Sequence, residues 1–164
     1  MGYPPRSMSA ATTLERRIVS RDADATRSLA ARLAAAARAG DLICLWGELG
    51  AGKTQFAKGF GAGLGIADTI VSPTFILMAE YAGRLRLFHL DLFRLADAAD
   101  ALAGGLIDDR QADGVTLVEW PDRMGEILPA ARLDVSIAGT GDEPRQIALI
   151  ATDRSYARYL DAAT

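Results

Sequence analysis

The chain has 164 residues, half of them hydrophobic and about a quarter charged, with a formal net charge of −3, which suits one compact domain with a real core and excludes a disordered tail or two ordinary domains. A single cysteine, Cys44, and a single histidine, His89, exclude an intrachain disulfide, a Cys-built zinc site and any centre needing two histidines. The slight negative charge argues against a broad nucleic-acid-binding face, and no apolar run reaches the roughly 20 residues that cross a bilayer.

Met1–Ser9 carries Pro4 and Pro5 and no periodicity, and residues 1–13 read as a disordered lead-in without a signal-peptide core. A cytoplasmic protein with one domain over residues 14–164 is therefore expected. Leu14–Val19 reads as a strand. Asp22 or Asp24 is placed to cap a helix over Ala25–Ala39, which Gly40 stops. Leu42–Trp46 is a continuous apolar run, as expected of a central parallel strand buried on both faces. A glycine-rich turn and a helix from Lys53 to about Leu64 follow. Thr69–Tyr81 and Leu85–Leu90 read as two strands joined at Ala82–Gly83. The alternation of Arg84, Leu85, Arg86 and Leu87 predicts one solvated face for the second of them. Asp97–Ala103 reads as a helix and Leu106–Ala112 as another helical turn or two. Val115–Val118 is a second fully apolar strand, running into Glu119. Pro121–Pro129 reads as a loop or short helix, Leu133–Ala138 and Gln146–Ala151 as a hairpin, and Asp153–Ala162 as a terminal helix. The alternation predicts an α/β sandwich of three layers, its sheet mostly parallel with antiparallel additions.

Gly47-Glu-Leu-Gly-Ala-Gly52-Lys53-Thr54 matches G-x-x-x-x-G-K-[ST] at every fixed position, between a buried-strand pattern and a helix pattern. Glycines let such a loop wrap closely around phosphates with its N–H groups pointing inward, and the helix N-terminus favours anions. Lys53 can reach the β- and γ-phosphates, and the Thr54 hydroxyl can join a Mg²⁺ shell. Glu48, Leu49, Gly50, Ala51, Gly52, Lys53, Thr54 and Gln55 form the candidate nucleotide-binding stretch. Of the 18 basic residues, only Lys53 and Lys58 are lysines. In a chain that otherwise uses arginine, a lysine here points to a steric requirement, because a compact ammonium fits a tight loop and a wide guanidinium does not. Lys58, one turn further, reads as a solvated charge.

An ATPase of this type also needs an acidic residue at the end of a neighbouring strand to hold the magnesium shell. Glu119 ends an apolar run and is the better candidate by strand character. Asp91, ending the strand with the expected solvated face, is the candidate for orienting the attacking water or reporting the γ-phosphate. Lys53, Asp91 and Glu119 are thus the candidate catalytic residues, and Thr54 and Glu119 the candidate metal contacts. Ser72-Pro-Thr-Phe75 offers hydroxyls as a nucleotide-sensing segment would, or is a Pro-bearing strand entry. His89 shares a strand face with Asp91, so it either couples to the site or is a structural histidine. Trp120 reads as packing, with stacking or a partner contact as the alternative.

Gly47–Thr54, Ser72–Phe75, His89-Leu-Asp-Leu-Phe-Arg94 and Leu117-Val-Glu-Trp-Pro121 occur in an order and at separations that resemble the TsaE family. The resemblance implies a P-loop NTPase-like fold, binding of ATP or ADP with Mg²⁺, and weak ATPase activity alone. It further implies work with the TsaB and TsaD proteins, which install threonylcarbamoyl on adenosine 37 of tRNA. The tRNA would then be met indirectly, through the complex, with no role for a membrane. By the same resemblance Lys53 and Thr54 are the phosphate and metal contacts, Glu119 is the magnesium-shell acid and Asp91 matters for hydrolysis. Asp22 and Arg145 lie where family members approach the nucleotide from outside the loop. Gln55 departs from the second threonine of many members, which bears on an α-phosphate contact. The alternative function is a small-molecule kinase, which needs an acceptor pocket and an arginine-bearing lid; no arginine-dense lid is evident between Leu106 and Arg132, although Arg110 and Arg123 lie there.

Overall fold

The computed structural model describes residues 13–71, 77–96 and 109–164. In chain order the elements are β1 (Leu14–Ser20), α1 (Ala23–Ala34), β2 (Leu42–Trp46), α2 (Lys53–Gly63), β3 (Met78–Tyr81), β4 (Arg86–Asp91), β5 (Gly114–Glu119), β6 (Leu133–Ala138), β7 (Arg145–Ala151) and α3 (Ala157–Ala162). Short 3-10 segments cover Asp109–Asp113, Pro121–Ile127, which is kinked at Gly125, and Arg154–Tyr156. The seven strands form one sheet in the order β1-β7-β6-β2-β5-β4-β3. The four central strands, β6, β2, β5 and β4, run parallel, and β3, β7 and β1 add antiparallel edges. This is the α/β architecture expected from the sequence, with the late hairpin as β6–β7.

The sheet separates two cores. On one face, Ile43, Leu45, Leu117 and Val135 pack against Leu29 and Leu33 of α1, Phe56 and Phe60 of α2 and Tyr159 of α3. On the other, Cys44, Trp46, Leu90 and Val118 pack with Met124 of the 3-10 helix Pro121–Ile127. A strand between two cores has no solvated face, which explains why β2 is an unbroken apolar run and β5 is apolar from Val115 to Val118 but for Thr116.

Helices α1 and α2 meet through glycine. A Cβ on Gly59 would lie 2.2 Å from the Arg27 carbonyl oxygen, and one on Gly63 would lie 2.5 Å from that of Ala31. Only glycine admits this backbone approach, so two helix-weakening residues stand in α2, Gly59 in mid-helix and Gly63 at its last position, for a packing reason. The contact draws α1 toward the first turn of α2, where the Arg27 guanidinium donates to Gln55 Oε1.

Three expectations change. The helix expected to reach Ala39 ends at Ala34: the N–H groups of Ala35, Ala36 and Ala37 turn to carbonyls three residues back, and the Arg84 guanidinium donates to the carbonyls of Ala34 and Ala37. The strand expected over Thr69–Tyr81 is limited to Met78–Tyr81 among the described residues, and Thr69–Val71 are not strand. Most consequentially, β4 has no solvated face. Arg86 alone is exposed, and Leu87 through Asp91 are all buried, because Leu87 enters the core on one face of the sheet and Phe88 and Leu90 the core on the other. Ser72–Phe75 and the helix expected at Asp97–Ala103 lie outside the described residues, as does the lead-in through residue 12.

Candidate functional site

Parallel strands β2, β5 and β4 end together, and their carboxyl ends form the floor of the site, the usual place for ligands in a sheet of this kind. From β2 the chain enters the loop Gly47–Gly52 and then α2. Gly50 and Gly52 hold φ of +80° and +112°, and no atom lies within 4 Å of where a Cβ would stand on either. Gly47 is different: a Cβ there would meet the Ile137 carbonyl oxygen at 2.6 Å. The loop is therefore pressed onto β6 at its start and open at its centre.

Lys53 opens α2 and is buried. Its Nζ donates to the carbonyls of Gly47 and, at 3.1 Å, Glu48, and sits 4.2 Å from the centre of the Trp120 ring. Burial pushes the ammonium below its ordinary pKa, and the carboxylates of Glu119, Asp91, Glu48 and Asp122 pull it back up. Trp120 follows β5 at φ +58°, a conformation that turns its ring over the site, and it packs at 5.0 Å against the Phe93 ring.

The register of β4 on β5 sets Asp91 directly beside Glu119, and both are buried, at 4% and 3% exposure. The strand character that ranked Glu119 above Asp91 thus does not separate them. Asp91 Oδ1 accepts from the Phe93 N–H at 3.0 Å. Glu119 Oε2 lies 2.7 Å from Nε2 of the wholly buried His89.

A cavity of about 380 Å³ joins these groups, lined by the loop, Lys53, Thr54, Gln55, Asp91, Phe93, Glu119 and Trp120. A second cavity, of about 310 Å³, shares Gly50, Gly52 and Gln55 with the first and extends between Asp22 and Thr26 on one side and Gly141, Asp142 and Glu143 on the other. Asp22 caps α1 by accepting from the Ala25 N–H at 2.8 Å while lining this cavity. Arg145 also lines it, but its guanidinium faces backbone. It donates to the carbonyls of Ala51 (2.8 Å), Gly50 (3.2 Å), Gly141 (3.0 Å) and Glu143, tying the loop to the β6–β7 turn. These bonds hold the carbonyls of Gly50 and Ala51, and with them that part of the loop, against the β6–β7 turn.

Every described residue of the expected nucleotide, metal and catalytic set lines one or other cavity except Glu48, which belongs to the loop beside them, while Ser72–Phe75 lie outside the described residues. The β6–β7 turn was missed; its only sequence signal is Gly139-Thr-Gly141 ahead of Pro144-Arg145. The partner of His89 was missed too, because it lies 30 residues away.

Fold and site define a class: an α/β sandwich in which a G-x-x-x-x-G-K-[ST] loop at the end of a central strand faces two buried strand-end carboxylates. The sequence model of the threonylcarbamoyl adenosine biosynthesis protein TsaE matches residues 20–147, and the chain belongs to that family. It is similar to the tRNA threonylcarbamoyladenosine biosynthesis protein TsaE of Bacillus subtilis, 43% identical over 80% of this chain and 82% of the relative. The TsaE protein of Treponema pallidum is 39% identical over 80% of this chain and 97% of its own. The crystal structure of Bacillus subtilis YdiB superposes with a TM-score of 0.74 at 34% identity, covering 94% of this chain and 96% of that one.

Proposed function

We propose that this protein binds and hydrolyses ATP as the nucleotide-driven component of tRNA N6-threonylcarbamoyladenosine synthesis, acting with TsaB and TsaD proteins. The observation that carries the reading is the convergence of the open loop, Lys53 and Thr54 on the paired carboxylates Asp91 and Glu119. The loop centre is a cradle that side chains at Gly50 and Gly52 would fill. The second cavity continues it with room for a nucleoside.

The donor set fits magnesium. Thr54 and the carboxylates are hard oxygen ligands. Among the described residues no group of three or more His, Cys, Asp or Glu side chains is placed to hold a metal by itself. That suits Mg²⁺, which takes one or two protein oxygens and completes its shell with phosphate and water. When bound, the ion neutralises charge on the β- and γ-phosphates. Thr54 and Glu119 would hold its shell. Lys53 donates to the phosphate oxygens as a point charge. Asp91 accepts a hydrogen bond from the attacking water and aims it at the γ-phosphorus, while the bond to the β-phosphate oxygen breaks and ADP and phosphate leave. Arg145 holds the loop in shape through the carbonyls of Gly50 and Ala51 that it binds.

Among the described residues no helix is long and apolar enough to cross a membrane. With a net charge of −3, contact with tRNA is better assigned to the partners than to this chain. The test is phosphate release from ATP with and without a TsaB–TsaD pair. Slow release alone, acceleration by the pair and loss of both in Lys53→Ala are expected. Normal hydrolysis by Lys53→Ala, or neither stimulation by the pair nor association with it, overturns the reading.

A further inference from the structure

His89 is a buried titratable group to which the mechanism above gives no role. It stands on β4, and its cross-strand neighbours are Leu117 on β5 and Ala79 on β3, both apolar. Its ring is 0% exposed. Nε2 lies 2.7 Å from Glu119 Oε2, and Nδ1 has no hydrogen-bond partner among the described residues. An ionised carboxylate only accepts, so the ring nitrogen donates in this pair. A histidine retained for packing alone would ordinarily satisfy both nitrogens or be replaced by an apolar residue. Here the whole polar capacity used by the ring goes to one oxygen of one carboxylate.

We infer that His89 is a positioning residue: its Nε2–H fixes Oε2 of Glu119 and leaves Oε1 as the oxygen uncommitted to it, available to the magnesium shell. This rests on the nucleotide–magnesium reading of the site. The physical need is specific. A glutamate side chain has three torsions, and Lys53 exerts a direct electrostatic pull on Glu119. Untied, the carboxylate can turn onto the ammonium and form an ion pair that removes both groups from the phosphates and the metal. The hydrogen bond from β4 opposes that collapse. Partners that orient a metal ligand commonly govern affinity for the ion rather than for the rest of the substrate.

The test uses the full chain and ADP, titrating Mg²⁺ and measuring ADP binding with and without the ion. His89→Phe keeps a ring in the sealed space and removes the donor. His89→Gln keeps an N–H able to reach the same oxygen. His89→Phe is expected to raise the Mg²⁺ half-saturation about 10- to 100-fold, while metal-free ADP affinity stays within about threefold and His89→Gln stays near the unmodified protein. Should His89→Phe not fold, His89→Asn, too short to reach Oε2, gives the same loss. An unchanged Mg²⁺ requirement, an equal loss in His89→Gln, or a parallel fall in metal-free ADP binding overturns the positioning role alone. Failure of the unmodified protein to bind ADP overturns the nucleotide reading and this inference with it.

Discussion

Asp91 shows what a single residue owes to its neighbours. By sequence it ends a strand that looks half-solvated; in the structure it is buried beside Glu119 and lines the same cavity as Lys53. Both carboxylates act on the same ammonium, that of Lys53, and all three groups line one cavity. Their roles separate by mutation. Asp91→Asn preserves shape and removes the charge that orients water, so turnover is expected to fall about 100-fold or more while ADP affinity changes little. Steady-state phosphate release beside an ADP titration checks this. An equal collapse of binding would make Asp91 a ligand of the nucleotide complex instead. Arg145 makes the complementary point. Its donors are spent on four backbone carbonyls, so its influence on a nucleotide runs through the shape of the loop.

Between elements, the decisive contact is that of α1 with α2. Gly59 and Gly63 let the helix backbones approach within a distance that a Cβ forbids. Alanine is the better helix former by about 1 kcal/mol, so an isolated helix would gain from Gly59→Ala. In the folded chain the new methyl meets the Arg27 backbone, and overpacking of this kind costs roughly 1–3 kcal/mol. Gly59→Ala is therefore expected to lower the urea midpoint, with a weakened ADP affinity as the helices part near Gln55. A raised midpoint would show that the approach is not close enough to matter.

For the whole molecule, the site lies where the loop after β2, the ends of β4 and β5 and the β6–β7 turn converge, so a ligand there ties the sheet centre to the β6–β7 hairpin. Nucleotide that binds only the folded state stabilises it by about 2.7 kcal/mol at 100 times its dissociation constant. For a chain of this size that is a rise in Tm of roughly 5–10 °C. Differential scanning with ADP and Mg²⁺ should show the rise in the unmodified protein and its loss in Lys53→Ala; an equal rise in both would place binding elsewhere.

Much of this was legible in the chain itself. Leu42–Trp46 was readable to the residue because a strand buried on both faces needs an unbroken apolar run. The loop was readable because its glycines and lysine act within eight consecutive positions. The hairpin β6–β7 was readable because its pairing is local. The second solvated-looking strand was not, because Arg84 and Arg86 lie before and at the start of β4 and say nothing about its buried remainder. What the sequence determined by itself is whatever depends on near neighbours along the chain: strands, the phosphate loop, the helix it opens. What only the tertiary structure decided is everything that depends on register between distant strands. That Asp91 stands beside Glu119, that His89 reaches the same carboxylate and that Arg145 holds the loop all follow from how β4, β5 and β7 are set in one sheet, and hydrophobic patterning does not specify which polar groups such a sheet brings together.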